Sequence, residues 1–512
     1  MKIIIGDTSL NIEAFQDIVL EKKQIEISEE AKRRVEKSFR FLKDFSADKV
    51  IYGINTGFGP MAQYRVSDDD LRQLQYNLIR SHAAGSGKIL DTTYIRAAML
   101  ARLNTLLLGY SGVHLEVVEQ LMNFLNHEIY PIIPEHGGVG ASGDLVQLAH
   151  LALGLIGEGE AIYQDKTQQM SSVMEQTGLK PIGIYIREGL GLINGTSVMT
   201  GIGLVNLLNA RKLYSWALFA STMINQLVES YDDHISKELN GVKKHQGQNE
   251  TASFMREMLA GSRLLKKRED ILFNGLNGEK IFSEKVQEYY SLRCVPQVLG
   301  PVLETIDHSC KILVGEVNSV NDNPIIDMEN ENVFHGGNFH GDYVSFEMDK
   351  LKLSMTKLSM LMERQLNFLM NNKINEILPP FVNLGVLGLN LGIQGMQFTA
   401  TSTVAENQFL SNSMYVHSIP NNNDNQDIVS MGTNSALMAE KVVINSFEVI
   451  SIHLIAIIQA VDYLGFKERL SPKTKAVFDE LRRVVPKFVE DDVRYYDIKN
   501  MKEYIFNHSI EL

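Results

Sequence analysis

Seven apolar residues, Met348, Leu351, Met355, Leu358, Met362, Leu366 and Leu369, recur at alternating steps of three and four. A stripe of that period commits its segment to a long helix packed along a seam, because a strand repeats every two residues. A second stretch, Ser435 to Tyr463, is apolar on more than one face and needs several helical neighbours. The expected fold is therefore mainly α, a long central helical bundle. Up to about Thr196 the chain instead mixes short apolar runs with glycine and proline breaks. That contrast predicts a smaller, mixed N-terminal part over residues 1–200 and a long-helix part over 201–512. Within the first, Arg96 to Leu108 and Leu115 to Leu125 read as helices, and Lys49 to Gly53 as a short strand or turn.

Charge narrows the partners. With 49 basic and 62 acidic residues the net charge is -13, which argues against nucleic acid. The one dense basic run, Lys266-Lys267-Arg268, is followed at once by Glu269-Asp270. Phe447 to Val461 is greasy but carries Glu448, Ser451, His453 and Gln459, so it reads as a buried helix and falls short of a membrane span. Cys294 and Cys310 are the only cysteines, too few for a disulfide framework or a cysteine zinc site. A reducing cytoplasm is the expected compartment, without a membrane partner.

The most chemically suggestive stretch is Gly137-Gly138-Val139-Gly140-Ala141-Ser142-Gly143-Asp144. Two readings compete for it. Gly138-x-Gly140-x-x-Gly143 spells the dinucleotide fingerprint, and Glu158 and Glu160 lie near the spacing of a ribose-binding acid. Against that, Tyr130-Pro131-Ile132-Ile133-Pro134 upstream carries two prolines and cannot be a central strand. The other reading uses the small side chains. They let the backbone bend until the Gly143 amide nitrogen attacks the Ala141 carbonyl carbon. Loss of the Ser142 hydroxyl as water would then leave an electrophile made from the chain itself. Asp144 is placed to cap a helix that begins Leu145-Val146-Gln147-Leu148.

Five further segments accompany the triplet: Tyr52-Gly53-Ile54-Asn55-Thr56-Gly57-Phe58-Gly59, Gly191-Leu192-Ile193-Asn194-Gly195-Thr196-Ser197, Tyr289-Tyr290-Ser291-Leu292-Arg293, Asn318 to Pro324 with Phe334 to Gly341, and Asn421 to Asp427. In this order they resemble the aromatic amino acid ammonia-lyases, from about Tyr52 to Gly432. The resemblance implies an ammonia-lyase architecture of the fumarase/aspartase kind and a carbon–nitrogen lyase. It implies that Ala141, Ser142 and Gly143 mature into the prosthetic group methylidene-imidazolone (MIO), with no external cofactor and no metal. By the same resemblance Tyr52 is the acid/base, Asn194 bonds near the prosthetic group, and Arg293 grips the substrate carboxylate, with Tyr290 and Gln287 beside it if the segment is helical. Gly59, Phe339 and Asn422 fall at substrate-contacting positions. His335 and His340 read as polar loop residues, since no carboxylate or cysteine pattern accompanies them. Members are homotetramers whose active sites are each built from three chains.

Two positions bear on the substrate. His82, in Ser81-His82-Ala83-Ala84-Gly85, matches the family's selectivity position, histidine in the histidine and tyrosine enzymes and phenylalanine in the phenylalanine enzymes. Gln426 matches a position that is glutamate in histidine enzymes and glutamine in the other two. Together they imply L-tyrosine converted to trans-4-coumarate, as in bacterial tyrosine ammonia-lyases. Ala83 departs from this, since the best-known tyrosine enzymes have leucine there. The alternatives are a histidine ammonia-lyase giving urocanate, a tyrosine 2,3-aminomutase, and a non-catalytic scaffold.

Overall fold

The structure is a computed structural model that describes residues 2–273, 280–282 and 284–511. The chain forms two compact units that interleave in sequence. The first comprises Met1–Leu207, Ser309–Asp349 and Ser413–Glu440, and the second Leu208–His308, Lys350–Asn412 and Lys441–Leu512. A single boundary at residue 200 thus falls close to the end of the first segment, but the chain returns to the first unit twice. Four of the five changes of unit fall within long helices, Ser197–Leu227, Val295–Val317, Asp342–Met370 and Gly432–Leu464, and the fifth falls in a loop, between Asn412 and Ser413.

The expected seam is realised. Met348, Leu351, Met355, Leu358, Met362, Leu366 and Leu369 lie on the Asp342–Met370 helix and are all fully buried. Gly432–Leu464 is, by length and composition, apolar enough to cross a membrane, which corrects the reading that it falls short. Its most apolar window is 89% buried in protein, as a core helix requires.

In the first unit the Thr92–Leu107 helix is buried at every residue from Tyr94 to Leu107. Arg96 on it is buried because backbone carbonyls receive it: Nε donates to Ile18 O at 2.7 Å and Nη1 to Leu125 O at 2.7 Å. The strands are short. Ile3–Ile5 pairs in parallel with Ile25–Ile27, the one parallel ladder between named strands among the described residues. Ser86–Ile89 pairs antiparallel with Pro134–His136, and Ile325–Asp327 with Asn332–Phe334. Tyr130–Pro131 is an edge strand beside Glu160–Tyr163, whose other neighbour is Lys166–Gln169, and at an edge proline costs no ladder bond. Among the described residues no parallel sheet flanks the glycine-rich stretch, so the dinucleotide reading lacks its frame. Lys49 to Gly53 is loop and turn, not strand.

In the second unit Trp216 is buried with its Nε1–H donating to His508 O at 2.8 Å, which ties down the C-terminal end of the chain. Cys294 and Cys310 form no disulfide.

Candidate active site

The glycine-rich stretch lies between Pro134–His136 and the Leu145–Leu155 helix, and its backbone needs its glycines. Gly140 and Gly143 both have φ of 75°, in the left-handed region. A Cβ on Gly143 would sit 1.9 Å from the Gly195 carbonyl oxygen, so no other residue fits there. The close approach brings the Gly191–Ser197 motif against the triplet. Asp144 N donates to Gly195 O at 2.7 Å, Gly195 N to Ser142 O at 3.4 Å, and Asn194 Nδ2 to Ser142 O at 2.9 Å. Neither the Gly143 amide nor the Ala141 carbonyl is engaged in a hydrogen bond among the described residues. The two groups that ring closure would join are therefore uncommitted, while the oxygen between them is held twice. The residues fit the prosthetic group.

Asp144 does something other than expected. It stands before Leu145–Leu155, yet its carboxylate makes no bond to that helix. Instead it accepts from Val198 N at 2.8 Å and Met199 N at 2.9 Å, capping the Ser197–Leu227 helix, and from the Thr433 hydroxyl. Burial pushes its carboxyl up to about 6, outweighing those three donors and the nearby Arg102. Behind Asn194 lies a buried ion cluster. The fully buried Arg187 Nη1 meets Asp322 Oδ2 at 3.1 Å, and Arg102 donates to Gly191 O and lies 3.9 Å from the same carboxylate. Arg102 thereby props up the loop that carries Asn194.

A cavity of about 730 Å³ opens beside the triplet, lined entirely by the first unit. Tyr52, Gly59, His82, Ser142, Asn194, Phe339, Asn422 and Gln426 all line it, so eight of the residues singled out in the sequence converge here. The Gly59 amide donates to the Tyr52 hydroxyl oxygen at 3.1 Å, and Phe58 meets the Tyr52 ring edge-on at 6.2 Å between centroids. Gln426 Nε2 donates to Ser142 Oγ at 2.8 Å. His82 Nδ1 lies 3.0 Å from Leu78 O. Nδ1 also lies 3.1 Å from Ser81 Oγ. A carbonyl only accepts, so in the neutral tautomer that bonds Leu78 O the proton sits on Nδ1 and Nε2 is left as an acceptor.

Some lining residues were not anticipated. Leu74, Asn77, Leu78 and Ser81 sit at positions i, i+3, i+4 and i+7 of the Leu71–His82 helix, a face the spacing alone would have revealed. Asn323 and His335 also line the cavity. Burial and Arg187 hold the His335 imidazole below its ordinary range. Among the described residues no group of three potential ligands could hold a metal.

Gln287, Tyr290 and Arg293 lie elsewhere. They belong to the second unit and share a separate cavity with Arg364, Asn367 and Phe368. The helix there is only Tyr290–Arg293, so Gln287 precedes it in a bend and does not share its face as a helical segment would require. Arg293 stacks its guanidinium over the Tyr290 ring at 4.7 Å, and its Nε is buried without a partner among the described residues.

Comparison with known proteins agrees with this architecture. The sequence profile described as aromatic amino acid lyase matches residues 10–483. A tyrosine 2,3-aminomutase of Chondromyces crocatus is 39% identical over 494 residues, 95% of this chain and 93% of the relative. A histidine ammonia-lyase of a Geobacillus species is 37% identical over 510 residues, 99% and 96% of the two chains. The crystal structure of a tyrosine aminomutase from Streptomyces globisporus superposes with a TM-score of 0.95 at 34% identity, covering 99% of this chain and 97% of that one. With this sequence match across most of its length, the chain belongs to the aromatic amino acid lyase family, MIO-dependent carbon–nitrogen lyases of mainly helical fold.

Proposed function

We propose that the protein is a tyrosine ammonia-lyase, eliminating ammonia from L-tyrosine to give trans-4-coumarate. The observation that carries this is the His82 ring. With Nδ1–H given to Leu78 O, Nε2 is an acceptor on the cavity wall, matched to a phenol O–H. Gln426 supports it, because a neutral amide offers no carboxylate to work on an imidazole substrate.

When formed from Ala141, Ser142 and Gly143, the prosthetic group supplies an electrophilic methylidene carbon that turns the substrate amine into a better leaving group. Asn194 Nδ2 and Gly195 N would hold it through the Ser142 carbonyl oxygen. Tyr52, acting as its tyrosinate, takes the β-proton at its phenolate oxygen, where the Gly59 amide already donates and serves to hold negative charge. Asn194 Oδ1, buried and unpartnered among the described residues, accepts from the departing amine. Phe58, Leu190 and Phe339 exclude water from the same space.

None of the described residues lining this cavity is lysine or arginine. A free amino acid brings a carboxylate that needs a cation, and Arg293 is the candidate. The protein is accordingly a homotetramer in which Arg293, Tyr290 and Gln287 of neighbouring copies complete each site.

The test offers purified protein L-tyrosine, L-histidine and L-phenylalanine separately and identifies the products. Preferential formation of 4-coumarate is expected, and preference for histidine would overturn the reading of Gln426. The likeness to tyrosine aminomutases favours one second reading, in which the ammonia is added back; accumulation of β-tyrosine would select it.

A further inference from the structure

Gln426 sits at the ring-selecting position, but its amide is bonded to the precursor of the electrophile. Nε2 donates to Ser142 Oγ at 2.8 Å, a direct hydrogen bond between two side chains far apart in sequence. The oxygen it holds is the one that must leave if the triplet matures. The backbone that presents it is built for the purpose. Asn421 and Gln426 pair across a tight turn, with Asn421 N donating to Gln426 O at 3.1 Å and Gln426 N to Asn421 O at 3.3 Å. Asn422, Asn423 and Asp424 between them all adopt positive φ, of 54°, 52° and 57°. Such a run is tolerated because Asn and Asp enter the left-handed region more easily than most residues.

Two waters must be lost. For the first, the Gly143 N–Ala141 C bond forms, and the Ala141 oxygen departs with the protons of the Gly143 and Ser142 amides, leaving a C=N bond. For the second, the Ser142 Cα–H and Cβ–Oγ bonds break. The C–H electron pair becomes the C=C bond, and hydroxide departs with that proton. Negative charge thus develops at two oxygens, the Ser142 carbonyl and the leaving Oγ. Asn194 Nδ2 and Gly195 N donate to the former, and Gln426 Nε2 donates to the latter.

We infer that Gln426 assists the protein's own maturation by stabilising the Ser142 hydroxyl as it leaves. Once that oxygen is gone, the same amide is released into the cavity to meet the substrate. The inference rests on the reading that the triplet matures, and the experiment separates the two.

Full-length chain is made by cell-free synthesis, sampled over time and digested, and the peptide containing Ala141-Ser142-Gly143 is weighed. Wild type should lose both waters. Gln426→Met, similar in length but without a donor, should lose the second water roughly tenfold more slowly or worse, the worth of one charge-assisted hydrogen bond. A peptide lacking one water and retaining the serine hydroxyl should accumulate. Gln426→Glu should mature faster in acid, where its carboxyl is protonated and donates, than in alkali; a variant impaired only in folding has no reason to follow that profile. Equal rates of the second loss in wild type and Gln426→Met, loss of neither water in Gln426→Met, or a pH-independent Gln426→Glu would each overturn the inference. A wild-type chain that loses no water would overturn the maturation reading itself.

Discussion

Substitution of His82 by phenylalanine tests the substrate reading most directly. On the proposed reading, the wild-type ring gives its Nδ1–H to Leu78 O and offers Nε2 as the acceptor to the substrate. Phenylalanine at 82 keeps a planar ring of similar size and removes that acceptor. A bound tyrosine then buries its hydroxyl without a partner, at a cost of about 1–3 kcal/mol. His82 is only half-buried, which places the effect towards the lower end, near 1–2 kcal/mol, or roughly 5- to 30-fold in kcat/KM. Phenylalanine gains by the converse argument, because wild type leaves Nε2 unpaired when that substrate binds. The ratio of kcat/KM for tyrosine over phenylalanine should therefore fall by roughly 100-fold when both effects operate. Initial rates followed by the absorbance of 4-coumarate and of cinnamate measure both arms. Loss of the Leu78 O contact at a helix end should lower Tm only slightly, so a thermal melt guards against misfolding. A ratio unchanged within about threefold, well below the range expected of a lost hydrogen bond, would refute the assignment.

Tyr52→Phe should bind tyrosine with little change and lose turnover by roughly 100-fold or more, the usual contribution of a general base, as read from kcat and KM separately. Mixed oligomers should show complementation: inactive Tyr52→Phe and Arg293→Ala chains, unfolded and reassembled together, should recover about a quarter of wild-type activity if each site draws the two residues from different copies. No recovery would place both in one chain. Asp144→Asn probes the buried carboxyl. Its folded-state value of about 6 lies above the ordinary 3.8, so the folded protein binds the proton more tightly and wild-type stability falls as pH rises between those values. Denaturant unfolding should therefore show the variant gaining on wild type from about pH 4 to pH 6 and no further change above that range.

How much of this was legible beforehand follows from the kind of signal each residue carries. Period-based signals survived intact: the Met348 to Leu369 stripe is buried as its spacing demands. Residues whose role lies in a rare local backbone, such as Gly143, were also visible, because few side chains could replace them. Asp144 was misread because a capping residue looks the same whichever helix it caps. Sequence adjacency favoured Leu145–Leu155, whereas the Gly143–Gly195 contact brings the amides of Val198 and Met199 closer. The buried Arg102–Asp322–Arg187 cluster had no local pattern, since its members are far apart in the chain. Gln287 was set beside Arg293 only on the condition that the segment be helical, and the helix begins three residues after it.

The interleaving of the first unit has a bearing on when chemistry starts. Residues near 52, 142, 194, 335 and 426 must all be present before the cavity has its walls. On the proposed maturation, a nascent chain that ends before residue 426 lacks the donor to Ser142 Oγ and should keep its serine hydroxyl longer. By the same proposal, little reactive alkene would be exposed to thiols and amines during synthesis. The order in which the polypeptide threads back into that unit would then act as a safety interlock on its own reactivity.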